Sequence, residues 1–250
     1  MEYLKLKSGF GNLDTLYKKQ MLLKAEECFR LLLERRDEKL KQLAKIKNHD
    51  LNPLLDKHKS LYLFGNDTYE NLARALIFPS IIGTGLNTSF GDIIQKKYLT
   101  QFNNVEASGI SGLDIEFIHA KFDVRIYCQL KAGVNTINAD DVNPILEKFT
   151  KAIRLIRGNG GDPIPNERFI VGVFSGLKEK RNGNYKKIEQ KSTHPVLVGK
   201  DFWEAVTGDT DFYSDLARTL QNFQKSNSDS SGKVEAAVKA LAAEIQDALS

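Results

Sequence analysis

Residues 15–47 contain neither glycine nor proline, and apolar side chains return at Leu22, Leu23, Cys28, Leu31, Leu32, Leu40, Leu43 and Ile46 among charged ones. That spacing predicts one or two long amphipathic helices, packed on their own domain or contributing to a dimer interface. Asn52-Pro53 marks the break that follows, and a second helix is predicted over residues 68–78, with Asp67 or Thr68 as its N-cap. Gly83, Gly85 and Gly91 then interrupt the apolar pattern, predicting a loop that leads into a short helix from about Ser89. The Gly-x-Gly in this loop follows no clear strand and has no third glycine in register, so it is not read as a dinucleotide fingerprint.

The period changes after Gly112. Residues 113–133 are rich in Ile, Val, Phe and Tyr and alternate on both sides of a short polar break, which predicts a β-hairpin turning near residues 119–122. Helical spacing returns over residues 140–157, through Val142, Ile145, Leu146, Phe149 and Ile153, and ends at the glycine-rich loop 158–166. Residues 169–174 form a nearly continuous apolar run, the mark of a strand covered on both faces. A basic stretch, 178–191, precedes a short strand at 196–198 and a helix starting at Lys200. Trp203 follows that helix's apolar pattern and is read as core. Residues 225–232 read as a polar linker and 234–249 as a detached amphipathic helix. The order of elements predicts an α/β core with added helices: an N-terminal helical region at 1–47, a core at 48–224, and a linker and helix at 225–250.

Alternation decides which hairpin side chains share a face. Leu113, Ile115 and Phe117 point one way with Val124, Ile126, Cys128 and Leu130, whereas Asp114 and Glu116 share the other with Arg125, Tyr127, Gln129 and Lys131. Antiparallel pairing brings Asp114 opposite residues 127–131, so Asp114, Gln129 and Lys131 converge. A carboxylate and a second oxygen ligand can hold Mg²⁺, which polarises a phosphodiester and helps generate hydroxide. A neighbouring lysine can orient or deprotonate water and stabilise developing negative charge. The carbonyl of Leu130 is a further candidate ligand, and Glu116 a candidate for a second ion or a metal-bound water. The same residues on an ordinary amphipathic hairpin would only solvate its outer face.

Composition adds bounds. Hydrophobic residues make up 41% and charged residues 27%, which is ordinary for a soluble protein. No stretch reaches the ~20 apolar residues of a membrane helix, and the N-terminus lacks the apolar core of a signal peptide; the chain is expected to be cytoplasmic. Cys28 and Cys128 stand apart, without a CxxC or a Cys/His cluster, and are read as buried free thiols rather than zinc ligands or a disulfide. A net charge of +4 is compatible with an anionic polymer partner without requiring one.

At Asp114 and the Gln129–Lys131 triplet the chain resembles the PD-(D/E)xK nuclease superfamily. More widely it resembles type II restriction endonucleases of the PmeII-like family, which includes an enzyme cutting RGGNCCY. The matching pieces are TGLNTSFGDIIQ at 84–95, Leu113-Asp114, QLKAGVNTIN at 129–138, IVGVFSG at 170–176 and GKDFWEAV at 199–206. The resemblance implies a restriction-endonuclease-like mixed sheet and Mg²⁺-dependent cleavage of double-stranded DNA, with Mn²⁺ able to substitute. It also implies a methyltransferase protecting the same site. Carried over by position, it makes Asp114 a metal ligand and Lys131 the catalytic lysine. Gln129 departs from the acidic residue usual there, which should lower metal affinity, with Glu116 as compensation.

A duplex-cutting enzyme must neutralise phosphates. The candidates are Lys96, Lys97, Lys180, Arg181, Asn182, Lys186 and Lys187, with His194 in the same basic run and residues 182–184 read as a loop tip that could enter a groove. Asn135, just after the lysine, is another. Two cuts in a palindrome are most simply made by a homodimer, with residues 15–47 as its best interface candidates. Two alternatives stay open: a catalytically weak or inactive sequence-specific DNA-binding homologue, and a structure-selective repair nuclease.

Overall fold

The computed structural model describes residues 14–52, 54–82, 84–226 and 230–249. Contacts divide the chain into two units, one holding residues 14–28 with Gly91–Leu220, the other Phe29–Phe90 with the described residues from Gln221 onward. These boundaries fall elsewhere than the expected 1–47, 48–224 and 225–250. Helix α1 (Thr15–Leu43) supplies its first half to one unit and its second half to the other.

The first unit is built on a five-stranded mixed sheet in the order β1-β2-β3-β4-β5. Strands β1 (Val105–Ala107), β2 (Ile115–Ile118) and β3 (Arg125–Lys131) pair antiparallel, and β4 (Phe169–Val173) and β5 (Val196–Val198) continue parallel to β3. The parallel steps need crossovers, and helices supply them: α5 (Ala139–Gly158) joins β3 to β4, and α6 (Gly183–Lys191) joins β4 to β5. A capping box starts α5, with the Asn138 side chain accepting from Asp140 and Asp141 N–H and Asp141 reaching back to the Asn138 N–H. Its apolar stripe, Val142, Ile145, Phe149 and Ala152, buries against Tyr127, Phe169, Val171 and Val173 together with Tyr185 and Ile188 of α6.

The alternate residues of these strands point to the other face. There Phe117 meets Phe202 of α7 (Lys200–Thr207) edge-on, and Trp203 packs among Tyr98, Phe102 and Phe212. Gly172, mid-β4, is what lets α7 approach: a Cβ there would stand 2.7 Å from both Cys128 Sγ and the Phe202 ring. Trp203 is core, as expected, and its indole N–H donates to the Phe174 carbonyl. Both cysteines are buried free thiols, and burial pushes the Cys128 thiol well up from its usual range.

In the second unit, α3 (Tyr69–Ile82) packs on α9 (Ser230–Leu249). Leu40, Leu43, Leu72, Ala73 and Ile77 share one buried cluster with Ala237, Val238, Leu241, Ala242 and Ile245. The C-terminal helix is therefore docked, not detached. Of the expected linker, α8 (Phe212–Ser226) extends to Ser226 and α9 starts at Ser230, while residues 227–229 lie outside the described residues. Thr68 does precede α3 and accepts from the Asn71 N–H. The stripe of α1 is mostly buried within the chain, at Cys28, Leu32, Leu40 and Leu43, with Leu23 and Leu31 left exposed.

Five of the described α-helices and strands went unforeseen, α6 among them. Helix α2 (Asp56–Phe64) and strand β1 are short, whereas α8 is a fifteen-residue amphipathic helix, with Phe212 and Leu216 buried, whose pattern was present in the sequence. Helix α4 (Thr84–Ile93) runs through Gly85 and Gly91, where a loop was expected; each interior glycine costs about 1 kcal/mol, which tertiary packing can outweigh. No helix among the described residues is long and apolar enough to cross a membrane.

Candidate active site

From Ile115 onward the hairpin register is the one alternation requires, but Leu113, expected on the face of Ile115 and Phe117, packs instead with Tyr127 in the cluster under α5. Ile115 pairs with Cys128, and just before β2 the Asp114 N–H donates to the carbonyl of that same Cys128 at 3.0 Å. Asp114 is thereby tied to Cys128 and, through its carboxylate, to Leu130, the two neighbours of Gln129, and Lys131 ends β3. Val171 and Val173 of β4 flank Gln129 and Lys131. The site accordingly sits at the carboxyl end of the parallel strands, where open α/β sheets present ligand-binding residues.

This face is not the solvated surface that a polar pattern suggests. Tyr127, two residues before Gln129, stacks on Phe169, and Gln129 is only 5% exposed. Helix α5 covers the strand here, and the polar residues are enclosed at its rim. Asp114 is held from two sides: its Oδ2 accepts the Leu130 N–H at 2.6 Å and its Oδ1 accepts from Gln95 Nε2 at 3.2 Å. Lys131 is half-buried and makes no ion pair among the described residues. Gln129 Oε1 is buried with no hydrogen-bond partner among the described residues. An unsatisfied buried acceptor costs about 1–3 kcal/mol and in a native fold calls for an explanation such as a bound ion.

The donor set therefore fits a hard divalent cation: a carboxylate, an unpartnered amide oxygen, and the Leu130 backbone drawn against Asp114. It fits with little charge. No group of three or more His, Cys, Asp or Glu arranged for a metal occurs among the described residues. Glu116 does not make up the deficit. It lies on the same face, but its Oε1 accepts from Ser108 Oγ and its Oε2 from Arg125, each at 2.8 Å, with Arg125 also bound to Glu106 across the Glu106–Glu116 pair. Burial works against the Arg125 charge, yet the bonds to Glu116 and Glu106 outweigh it and raise its pKa. Glu116 is an ion-pair partner at the sheet edge rather than an open ligand.

Gln95 was not singled out in the sequence, although it closes the TGLNTSFGDIIQ segment. It sits in a π-helical turn, Ile94–Tyr98, directly after α4. Gly91 of the same segment lies against Ala132, the residue after Lys131.

The basic residues separate into two groups. Lys97, Lys180, Lys186, Lys187 and Asn135 are exposed, and Lys96 is exposed while paired with Asp92 at 2.9 Å. Arg181 and Asn182 are instead engaged within the fold. Arg181 makes a two-point ion pair with Glu189, and Asn182 is the N-cap of α6, accepting from Asn184 and Tyr185 N–H. The expected loop tip at 182–184 is this helix start. Its function is to brace the loop after Lys131: Asn182 N–H donates to the Val134 carbonyl, Asn182 Nδ2 to Ile137, and Tyr185 OH to Gly133. Burial pushes the Tyr185 hydroxyl up to about 12 despite its bond with Thr136. His194 is buried against Phe149, with Nδ1 bonded to the Asn166 carbonyl, and belongs to the core.

A search of curated proteins returns no match to this chain. A family model does match, that of type II restriction endonuclease EcoO109I, over residues 26–228. The match takes in the whole sheet and every strand that positions Asp114, Gln129 and Lys131, and it supports the endonuclease family without reaching a PmeII-like specificity. The chain belongs to the EcoO109I family of type II restriction endonucleases.

Proposed function

We propose that this chain cuts both strands of duplex DNA at a specific palindromic site, with Asp114, Gln129 and the Leu130 carbonyl holding Mg²⁺ and Lys131 acting on the attacking water. The observation that carries the reading is the buried Gln129 Oε1, without a partner among the described residues, next in the chain to the Leu130 N–H that holds the Asp114 carboxylate, with Lys131, in no ion pair among those residues, at the end of the same strand. The cation, when bound, polarises the scissile phosphate and lowers the pKa of a coordinated water. Asp114 contributes the one carboxylate and is kept in place by the Leu130 N–H. Lys131 accepts a proton from water or orients it, and its charge stabilises the phosphorane-like transition state. Lys97, Lys180, Lys186 and Lys187, with Asn135, are the candidates for phosphate and groove contacts. Cutting both strands of a palindrome calls for a homodimer, and self-protection of the host calls for a methyltransferase of the same specificity.

The test is digestion of plasmid DNA with Mg²⁺, Mn²⁺ or EDTA, followed by sequencing of the fragment ends. Discrete fragments with common ends, formed with either metal and absent with EDTA, support the reading; the resemblance makes RGGNCCY the first target to examine. The neutral Gln129 favours one other reading, a DNA-binding homologue with weak or no cleavage. Specific binding without fragments in either metal would establish it.

A further inference from the structure

We propose that Gln95 is a positioning residue for the metal site: its side-chain amide fixes the Asp114 carboxylate in the orientation that a divalent cation requires. The inference rests on the assignment of Asp114 as the metal ligand.

Asp114 lies just outside β2, where the regular ladder no longer dictates its rotamer. Two donors reach it from opposite sides. The Leu130 N–H takes Oδ2 and Gln95 Nε2 takes Oδ1, so each oxygen keeps lone-pair capacity for a cation while the plane of the carboxylate is set. Neither donor carries a charge, so neither neutralises the group as Arg125 neutralises Glu116. A lysine or arginine at position 95 would orient the carboxylate but also compete with the cation for its charge. An amide orients without competing.

The chain builds this contact with a local device. The π-helical turn Ile94–Tyr98 widens the helix by one residue per turn. Ile93, Ile94, Tyr98 and Leu99 are all buried, so the turn is anchored on both sides of Gln95, and Tyr98 OH donates to the Met21 carbonyl. Gln95, half-buried, is left at the rim facing Asp114. The anchoring matters because this site has lost the second carboxylate usual in its superfamily. With one charged ligand, affinity depends more heavily on how that ligand is held.

Removal of an outer hydrogen-bond partner of a metal ligand typically lowers metal affinity by about 10–100-fold. Gln95→Met keeps side-chain length without a donor, and Gln95→Ala removes the chain. Binding of Mn²⁺ alone to the full chain, followed by electron paramagnetic resonance, should weaken about tenfold or more in both variants. The Mg²⁺ concentration for half-maximal plasmid cleavage should rise by the same factor, with the rate at saturating Mg²⁺ within about twofold of the unaltered chain. Asp114→Ala in the same titration separates the two ideas. If Asp114→Ala binds Mn²⁺ normally, the metal assignment itself fails. If Asp114→Ala loses Mn²⁺ while Gln95→Met and Gln95→Ala bind it normally, only the role of Gln95 is overturned. A loss of maximal rate without a change in metal affinity also overturns it.

Discussion

Asp114 and Glu116 stand on one face of one hairpin, two positions apart, and their surroundings give them different chemistry. Glu116 is 8% exposed, and its oxygens are taken by a hydroxyl and a guanidinium that also binds Glu106 on the edge strand. Its charge is cancelled locally, and it closes the sheet edge. Among the described residues Asp114 is held by neutral N–H donors, one of them Leu130, whose neighbour Gln129 carries an amide oxygen with no partner. Its charge is oriented but not cancelled. Residue type and strand parity are therefore insufficient to identify a metal ligand; what distinguishes the two carboxylates is whether the fold supplies a countercharge.

Substitutions can break this contrast. Asp114→Ala and Lys131→Ala should each lower Mg²⁺-dependent cleavage by about 10²–10⁴-fold while leaving DNA affinity within a few-fold, as measured by single-turnover cleavage and a gel shift. Retention of full cleavage by either would remove the contrast altogether. Arg125→Met should leave Glu116 buried and unpaired. A fully buried pair broken in this way costs about 3–5 kcal/mol, and the solvent access of Arg125 reduces that to about 2 kcal/mol. Urea unfolding reads the loss, with cleavage at saturating Mg²⁺ unaffected below the melting range; an unchanged midpoint would show Glu116 solvated rather than clamped. Gln129→Glu supplies the missing charge on the Asp114 side and should tighten metal binding about tenfold, equivalent to about 1.4 kcal/mol. A lower Mg²⁺ requirement is the expected result, and a higher one would mean that Gln129 does not face the cation. Asn182→Ala removes an N-cap and the brace on the loop after Lys131, at a cost of about 1 kcal/mol in stability. Unchanged thermal stability would restore Asn182 as a free side chain available to DNA.

How much of this was readable in the sequence depended on the range of the physics involved. Parity along β2 and β3 is local, so the placing of Asp114 opposite the Cys128–Leu130 stretch could be read directly, as could the apolar run of β4 and the helical spacing of α5. The enclosure of Gln129 could not, because it arises from α5 covering a face whose residues look polar. The capture of Glu116 depends on β1, a three-residue strand with no pattern of its own. The role of Gln95 depends on a π-turn, which apolar spacing does not signal. Asn182-Gly183 has the composition of a loop tip, and only Tyr185 and Ile188, buried three residues apart, reveal the short helix. The family resemblance reached the restriction endonucleases, and the packing corrected which of the candidate side chains are already engaged within the fold.

The docking of α9 on α3 has a kinetic consequence. Phe29–Phe90 and the segment from Gln221 form one unit, although the sheet-bearing segment lies between them in sequence. Leu40, Leu72 and Ile77 find their partners Val238, Leu241 and Ile245 only after the ribosome has made the intervening stretch. Closing a loop of about 130 residues costs only modestly more entropy than closing a short one, so the price is mainly time. Until then Phe29–Phe90 has an open apolar face, and the sheet-bearing segment is finished first. A stop codon before α9 should therefore give a chain whose nuclease sheet is formed but whose helical unit is captured by chaperones or proteases.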